Sequence, residues 1–262
     1  MEPMRSLRVG AMTVRVYASR AEMGLAVGSA VAAEARRLLS RSEGIRMMFA
    51  AADSQKELLE SLAAAPGIDW TRVTAFHMDE YLGLPGDAPG GLGRWLRDRF
   101  LDRVRPAQVH LLDGMAVSPE QECDRYTGLL RKAPLDIVCL GIGENGHLAF
   151  NDPPVADFDD PRWVKSVRID EASRLQQVAE GNFPRPQDVP SLALTVTIPA
   201  LLSAPFVYAS VPGPRKARAV QRAVDDPVTP ECPATALRRH PGAVLYLDPD
   251  SARLIDTAIA GR

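Results

Sequence analysis

Short apolar runs of strand length alternate with helical patterns along most of this chain, and few architectures accept that order. Met12–Tyr17, Ile45–Ala51, Arg72–His77, Leu135–Leu140, Leu192–Ile198, Phe206–Val211 and Ala243–Leu247 read as strands. Capping boxes at Ser19-x-x-Glu22, Ser54-x-x-Glu57 and Ser118-x-x-Gln121 open three of the intervening helices. A Gly/Pro-rich loop from Asp79 to Gly93 leads into another, ending near Val104, and two more are expected at Pro214–Val224 and from Pro249. Alternation of this kind implies an α/β fold: a Rossmann-like, mostly parallel sheet with helices on both faces. Leu135–Leu140 is apolar almost throughout, as befits a strand covered on both sides.

The rhythm breaks once. From Asp152 to Pro190 the chain is rich in Pro, Asp and Gln, with Trp163–Ile169 as its one strand-like run. This stretch reads as a lid insertion, at about 152–190, in a single domain spanning 1–262. Such a lid is expected to be locally weak and to close over substrate.

Composition removes several function classes. A hydrophobic fraction of 46% supports a large core, and a formal net charge of −2 gives no general attraction for nucleic acid or an acidic membrane. No apolar stretch reaches the length of a membrane span, and residues 1–10 lack the apolar core of a signal peptide. The three cysteines, Cys123, Cys139 and Cys232, form no CxxC pair and suit a reducing cytoplasm. Cys139, inside an apolar run, is expected to be a buried structural thiol.

Open parallel sheets bind ligands beyond the carboxyl ends of their strands. Three unusual polar loops follow strands here: Asp79-Glu80, Gly141–Asp152 and Gly213–Lys216. All three are therefore expected on one edge of the sheet. Gly141-Ile142-Gly143-Glu144-Asn145-Gly146 matches GxGxxG, but Pro153 and Pro154 soon follow, so the helix that a dinucleotide site needs cannot start there. The glycines, Gly143 among them, instead make a tight turn that lets backbone approach a ligand and presents His147. Taken alone, His147 could be a turn histidine; between Asn145 and Asp152 it could equally be a proton shuttle. Asp79-Glu80 could be a helix cap, or a desolvated carboxylate working as a base. Lys216, at a helix start, is either a solvated cation or an anion contact. His77 is expected to point inward along its strand, and no HxH or HxxxH spacing supports a metal site.

Two longer motifs resolve these alternatives. His77-Met78-Asp79-Glu80-Tyr81-Leu82-Gly83-Leu84 resembles the MDEYxGL signature of glucosamine-6-phosphate deaminases, and Leu140 to Pro153 resembles their second signature, ending in GHxxFNEP. Ala193-Leu194-Thr195 and Gly213–Lys216 match later landmarks in the same order. The resemblance implies a cofactor-independent aldose–ketose isomerase and deaminase acting on a small-molecule sugar phosphate. It implies that Asp79 moves a proton between C2 and C1, and that His147 assists ring opening, oriented by Asn145 and Asp152. Ser54, Glu80, Gly143 and Lys216 would contact substrate, Lys216 at the 6-phosphate. A homo-oligomer is one assembly the family allows. The related 6-phosphogluconolactonases share the fold without the MDEY motif, so a lactonase-like hydrolase is the alternative enzyme; a sugar-phosphate sensor that kept the pocket is the non-catalytic one. This chain departs from the family pattern at Asp152, where Glu is usual, and at Ala50-Ala51-Ala52-Asp53-Ser54-Gln55, where a Gly/Ser/Thr-rich phosphate loop is usual. It also lacks, around Val178–Asn182, an arginine that commonly assists the phosphate. With Asp53 at that helix start repelling an anion, a reduced preference for the 6-phosphate is expected.

Overall fold

The computed structural model describes residues 1–255. The chain begins with a hairpin, β1 (Arg5–Val9) and β2 (Met12–Val16), then enters the long helix α1 (Arg20–Leu39). The Ser19 hydroxyl caps α1 by accepting from the Glu22 N–H. Next come β3 (Ile45–Phe49), a 3-10 turn at Asp53–Gln55, α2 (Lys56–Ala64), β4 (Val73–His77), β5 (Asp79–Tyr81) and α3 (Leu92–Leu96). A π-helical stretch at Arg97–Leu101 joins α3 to α4 (Asp102–Val104), followed by β6 (Gln108–His110), α5 (Pro119–Arg131) and β7 (Ile137–Leu140). The remainder comprises β8 (Val164–Arg168), α6 (Glu171–Ala179), β9 (Leu192–Val196), α7 (Ile198–Leu201), β10 (Phe206–Val211), α8 (Ala217–Asp225) and β11 (Ala243–Leu247).

Eight strands form the main sheet in the order β1-β2-β11-β10-β7-β3-β4-β6. Every neighbouring pair is parallel except β1 with β2. Strand β7 lies near the middle, and its side chains divide between two cores. Val138 and Leu140 join Val207, Leu245 and Leu194 on one face; Ile137 and Cys139 join Met47, Phe49 and Val27 on the other. A strand with no polar face cannot sit at an edge, which explains both its apolar sequence and its position. Burial pushes the Cys139 thiol far up, so it packs as an inert apolar group.

From β3 the chain runs outward through β4 and β6, then returns to start again at β7 and proceeds through β10 and β11 on the other side. The strand order therefore reverses between β3 and β7, and crevices open beyond the carboxyl ends of strands at such reversals.

Three expectations need correction. The Asp79–Gly93 segment is not all loop: Asp79–Tyr81 is β5, paired antiparallel with β9, with Asp79 opposite Thr195. Strand β9 belongs not to the main sheet but to this second, three-stranded sheet, β5-β9-β8. A local reading of apolar runs cannot say which sheet a strand joins. The third correction concerns Pro249: residues 249–255 form turns rather than a helix start, and the rest of that expectation lies outside the described residues. The 152–190 segment carries its own structure, with β8 paired to β9 along five residues. The Lys165 ammonium, buried, reaches Asp160 at 3.0 Å and the Val155 carbonyl at 2.6 Å, tying the stretch before β8 in place.

Candidate active site

The pocket lies where β3 and β7 part. Ala50–Ala52 and Ser54 from the β3 end form one wall, and Gly141–Gly143 from the β7 end another. Asp79, His147 and Lys216 line the same pocket, as do Gln176 and Gln177 of α6. The three polar loops thus share one edge of the sheet.

The β7 loop is built to hold His147. Gly143 N–H donates to the His147 carbonyl and Gly146 N–H to the Gly143 carbonyl, both at 3.0 Å. The imidazole lies so close over Gly143 that a Cβ there would stand 2.1 Å from a ring carbon. Gly146 has φ +93°, the left-handed region that glycine enters without steric penalty. These glycines therefore serve the histidine, as the tight-turn reading expects. Downstream, Phe150 N–H donates to the Thr195 hydroxyl at 3.1 Å, and Asn151 Nδ2 donates to the carbonyls of Leu148 and Val196, pinning the loop to β9.

The His147 Nδ1 lies 3.0 Å from Asp152 Oδ1 and 2.9 Å from the Ser173 hydroxyl. Asp152 is fully buried, and its oxygens also accept from Asn145 Nδ2 (2.9 Å), the Asp170 N–H (3.1 Å) and the Ser173 hydroxyl. Burial raises the Asp152 pKa, but the bonds from His147, Asn145 and Ser173 overcome it and bring the carboxyl down to about 2. A carboxylate so fixed needs a donor at His147 Nδ1, which leaves Nε2 as the ring nitrogen free to exchange a proton. Asn145 does not line the pocket. Its amide braces Asp152 while its carbonyl oxygen accepts the His147 N–H at 3.0 Å. The shorter Asp at 152 reaches the ring directly, so losing one methylene does not loosen the histidine.

The Asp79-Glu80 pair divides between its two readings. The Glu80 carboxylate accepts from the backbone N–H groups of Tyr81 (2.9 Å), Leu92 (3.0 Å) and Gly93 (2.7 Å), and lies 3.6 Å from His77 Nε2. It caps the start of α3 and is absent from the pocket wall, and both of its oxygens are engaged by backbone N–H groups, so the structure gives it a positioning role in place of the expected substrate contact. Although burial favours protonation, His77 and the two α3 amides hold its pKa below the ordinary carboxylate value. Asp79 is the opposite case. Its Oδ1 is buried with no hydrogen-bond partner, while the residue keeps contact with the pocket. Burial, and then the charge of Glu80, push its pKa up to about 8.

Lys216 is buried beside the pocket, 3.8 Å from Glu180 Oε1, and burial lowers its pKa. Asp53 is exposed and lines a neighbouring charged cleft, which shares Ser54 and Lys216 with the pocket. The sequence reading missed Ser173, Gln176, Gln177 and Glu180. A signal was present: positions 173, 176, 177 and 180 fall on one helical face and are all polar. Among the described residues, no three His, Cys, Asp or Glu side chains converge as a metal site would require. No helix among them is long and apolar enough to cross a membrane.

Residues 18–246 match the family model of glucosamine-6-phosphate isomerases/6-phosphogluconolactonase. A glucosamine-6-phosphate deaminase of Bacillus cereus (strain G9842) is 35% identical over 193 residues, which are 74% of this chain and 72% of the relative. A solved structure of a monomeric glucosamine-6-phosphate deaminase is 26% identical and superposes with a TM-score of 0.85, covering 92% of this chain and 99% of that one. The fold also matches a 6-phosphogluconolactonase from Shewanella baltica, at 16% identity and a TM-score of 0.73, over 95% of this chain and 99% of that one. With the match running from α1 through β11, this chain is a member of the glucosamine-6-phosphate isomerase/6-phosphogluconolactonase family.

Proposed function

We propose that this enzyme performs deaminating aldose–ketose isomerisation of an amino sugar, with glucosamine 6-phosphate as the reference substrate and a ketose phosphate plus ammonia as products. The observation that carries this reading is a partnerless, desolvated Asp79 in the same pocket as a histidine with one nitrogen fixed. His147 Nε2 handles the ring-oxygen proton and opens the sugar. Ionised Asp79 takes the proton from C2, giving an enolamine, and returns a proton to C1. The resulting C2 imine adds water and loses ammonia, which balances the reaction as one sugar and one water in, one ketose and one ammonia out. Asn145, Asp152 and Ser173 position the histidine; Gly143, Ser54 and Lys216 line the substrate's place.

A lactonase requires one group to activate water, and His147 alone could do that, so a lactonase has no use for the carboxylate at Asp79. The two reactions separate in one experiment: supply glucosamine 6-phosphate and 6-phosphogluconolactone in parallel, and measure ammonia and acid release. Ammonia with a stoichiometric ketose supports the proposal; lactone hydrolysis without ammonia sinks it, and binding without either product identifies a sensor. Every residue given a role here comes from one chain, so this mechanism calls on no second copy even where the enzyme assembles as a homo-oligomer. The three cysteines are free and buried, which supports a reducing, cytoplasmic setting.

A further inference from the structure

Where the pocket meets the adjoining cleft, whose wall carries Glu180 together with Arg20, Lys56, Arg99 and Arg215, Lys216 sits in a charge arrangement that proton transfer does not require. Lys216 is the one lysine or arginine among the residues lining the pocket. Its ammonium lies 3.8 Å from Glu180 Oε1, and the two side chains are 8% and 10% exposed. Gln176 Nε2 holds that same oxygen at 2.8 Å, while Glu180 Oε2 is buried and has no hydrogen-bond partner. The adjacent wall is Ala50–Ala52, without side-chain donors; the Ser54 hydroxyl accepts from Gln55 Nε2 at 3.1 Å, which leaves its O–H as the one side-chain donor on that wall.

These features suit one kind of sugar terminus better than another. A phosphate dianion set against Lys216 would meet a cation already neutralised and a carboxylate oxygen beside it. A neutral hydroxyl would bring no second negative charge beside the Glu180 carboxylate, which stands behind Lys216 in the adjoining cleft rather than on the pocket wall. Glutamines 176 and 177 extend the same neutral, hydrogen-bonding character along α6.

We propose that Glu180 determines specificity, and that the preferred substrate is a 2-amino-2-deoxyhexose carrying an uncharged hydroxyl at the end that meets Lys216. This rests on the deaminating-isomerase reading and names the substrate class within it.

The test compares ammonia release from glucosamine and from glucosamine 6-phosphate in the wild type, Glu180→Gln and Glu180→Ala. The wild-type kcat/KM for glucosamine should at least equal that for the 6-phosphate. Glu180→Gln keeps shape and removes charge, freeing Lys216. It should shift the ratio toward the 6-phosphate by roughly tenfold or more, as expected for one regained hydrogen bond to a charged group. The shift should appear in KM for the 6-phosphate, with kcat little moved. Should Glu180→Gln fold poorly, Glu180→Ala carries the test, with the same direction expected. A wild type preferring the 6-phosphate more than a hundredfold, with a ratio indifferent to both variants, overturns the inference. Calorimetric titration with inorganic phosphate separates this from failure of the deaminase reading. If neither sugar releases ammonia, that reading falls, while phosphate binding roughly tenfold tighter in Glu180→Gln still supports the role of Glu180. Equal phosphate affinity in wild type and variant overturns it.

Discussion

Holding Asp79 ready as a base should cost the fold stability, and the cost should depend on pH. Its folded pKa is about 8 against an ordinary value of 3.8, with burial the larger cause and Glu80 the second. A group whose folded pKa is raised contributes its full stability below the unfolded value and loses it as pH climbs through the folded value. The relevant window therefore runs from about pH 4 to about pH 8. Between pH 5 and pH 8 the lost contribution, at 1.36 kcal/mol per pH unit, approaches about 4 kcal/mol; solvent entering through the pocket halves this to about 2 kcal/mol. Asp79→Asn removes the titration while keeping the shape. Urea unfolding followed by circular dichroism at pH 5, 6, 7 and 8 should show the variant increasingly more stable than the wild type. The difference should widen by about 2 kcal/mol across the series. Parallel stability curves would refute the argument, because they would mean that Asp79 titrates alike in the folded and unfolded chain. A stabilised, inactive variant is the usual signature of a strained functional group.

Three other substitutions probe the histidine's support. Ser173→Ala leaves the direct contact between His147 and Asp152 but removes a shared hydroxyl; kcat should fall roughly tenfold with KM nearly unchanged, as loss of one modest hydrogen bond implies. Asp152→Asn should destabilise the protein by about 2 kcal/mol at pH 7, the value of a carboxyl moved from 3.8 to about 2. The wild type should lose that advantage as pH falls from about 4 through 2, and acid unfolding with a slope identical in the variant would contradict the assignment. Gly143→Ala places a methyl where the imidazole stands, so activity should be abolished at a stability loss of about 1–3 kcal/mol. Full activity with an unchanged melting temperature would show that the ring does not pack there.

Much of the site could be read before the fold was known, because its parts are local. Asn145, His147 and Asp152 lie within eight residues, so a single tight turn brings them together whatever surrounds it. The buried centre of the sheet was equally legible in Leu135–Leu140, where no polar face exists to be solvated. Legibility failed where partners come from far along the chain. Nothing near Glu80 reveals that its acceptors are filled by amides at Leu92 and Gly93, so it could not be told from its neighbour Asp79. Strand β9 carries apolar residues suited to either sheet, and its partners β5 and β8 lie more than a hundred and about thirty residues upstream. The polar stripe of α6 was visible as a stripe, yet a solvated helix face looks the same until its burial is known. Asp53 drew attention by its place at a helix start, whereas the carboxylate that meets Lys216 is Glu180, at the end of α6.

The central claim is that Asp79 moves the C2 proton, and turnover by Asp79→Asn tests it most directly. Ammonia and ketose should be followed for wild type and variant, each with glucosamine and glucosamine 6-phosphate, at pH 8, where about half of the wild-type Asp79 is ionised given its pKa of about 8. The account predicts equimolar ammonia and ketose from the wild type on at least one of the two sugars. In the folded variant kcat should fall by roughly 10²–10⁴-fold, the contribution of a positioned base. A variant that is folded, binds substrate and releases ammonia at a near wild-type rate would contradict it.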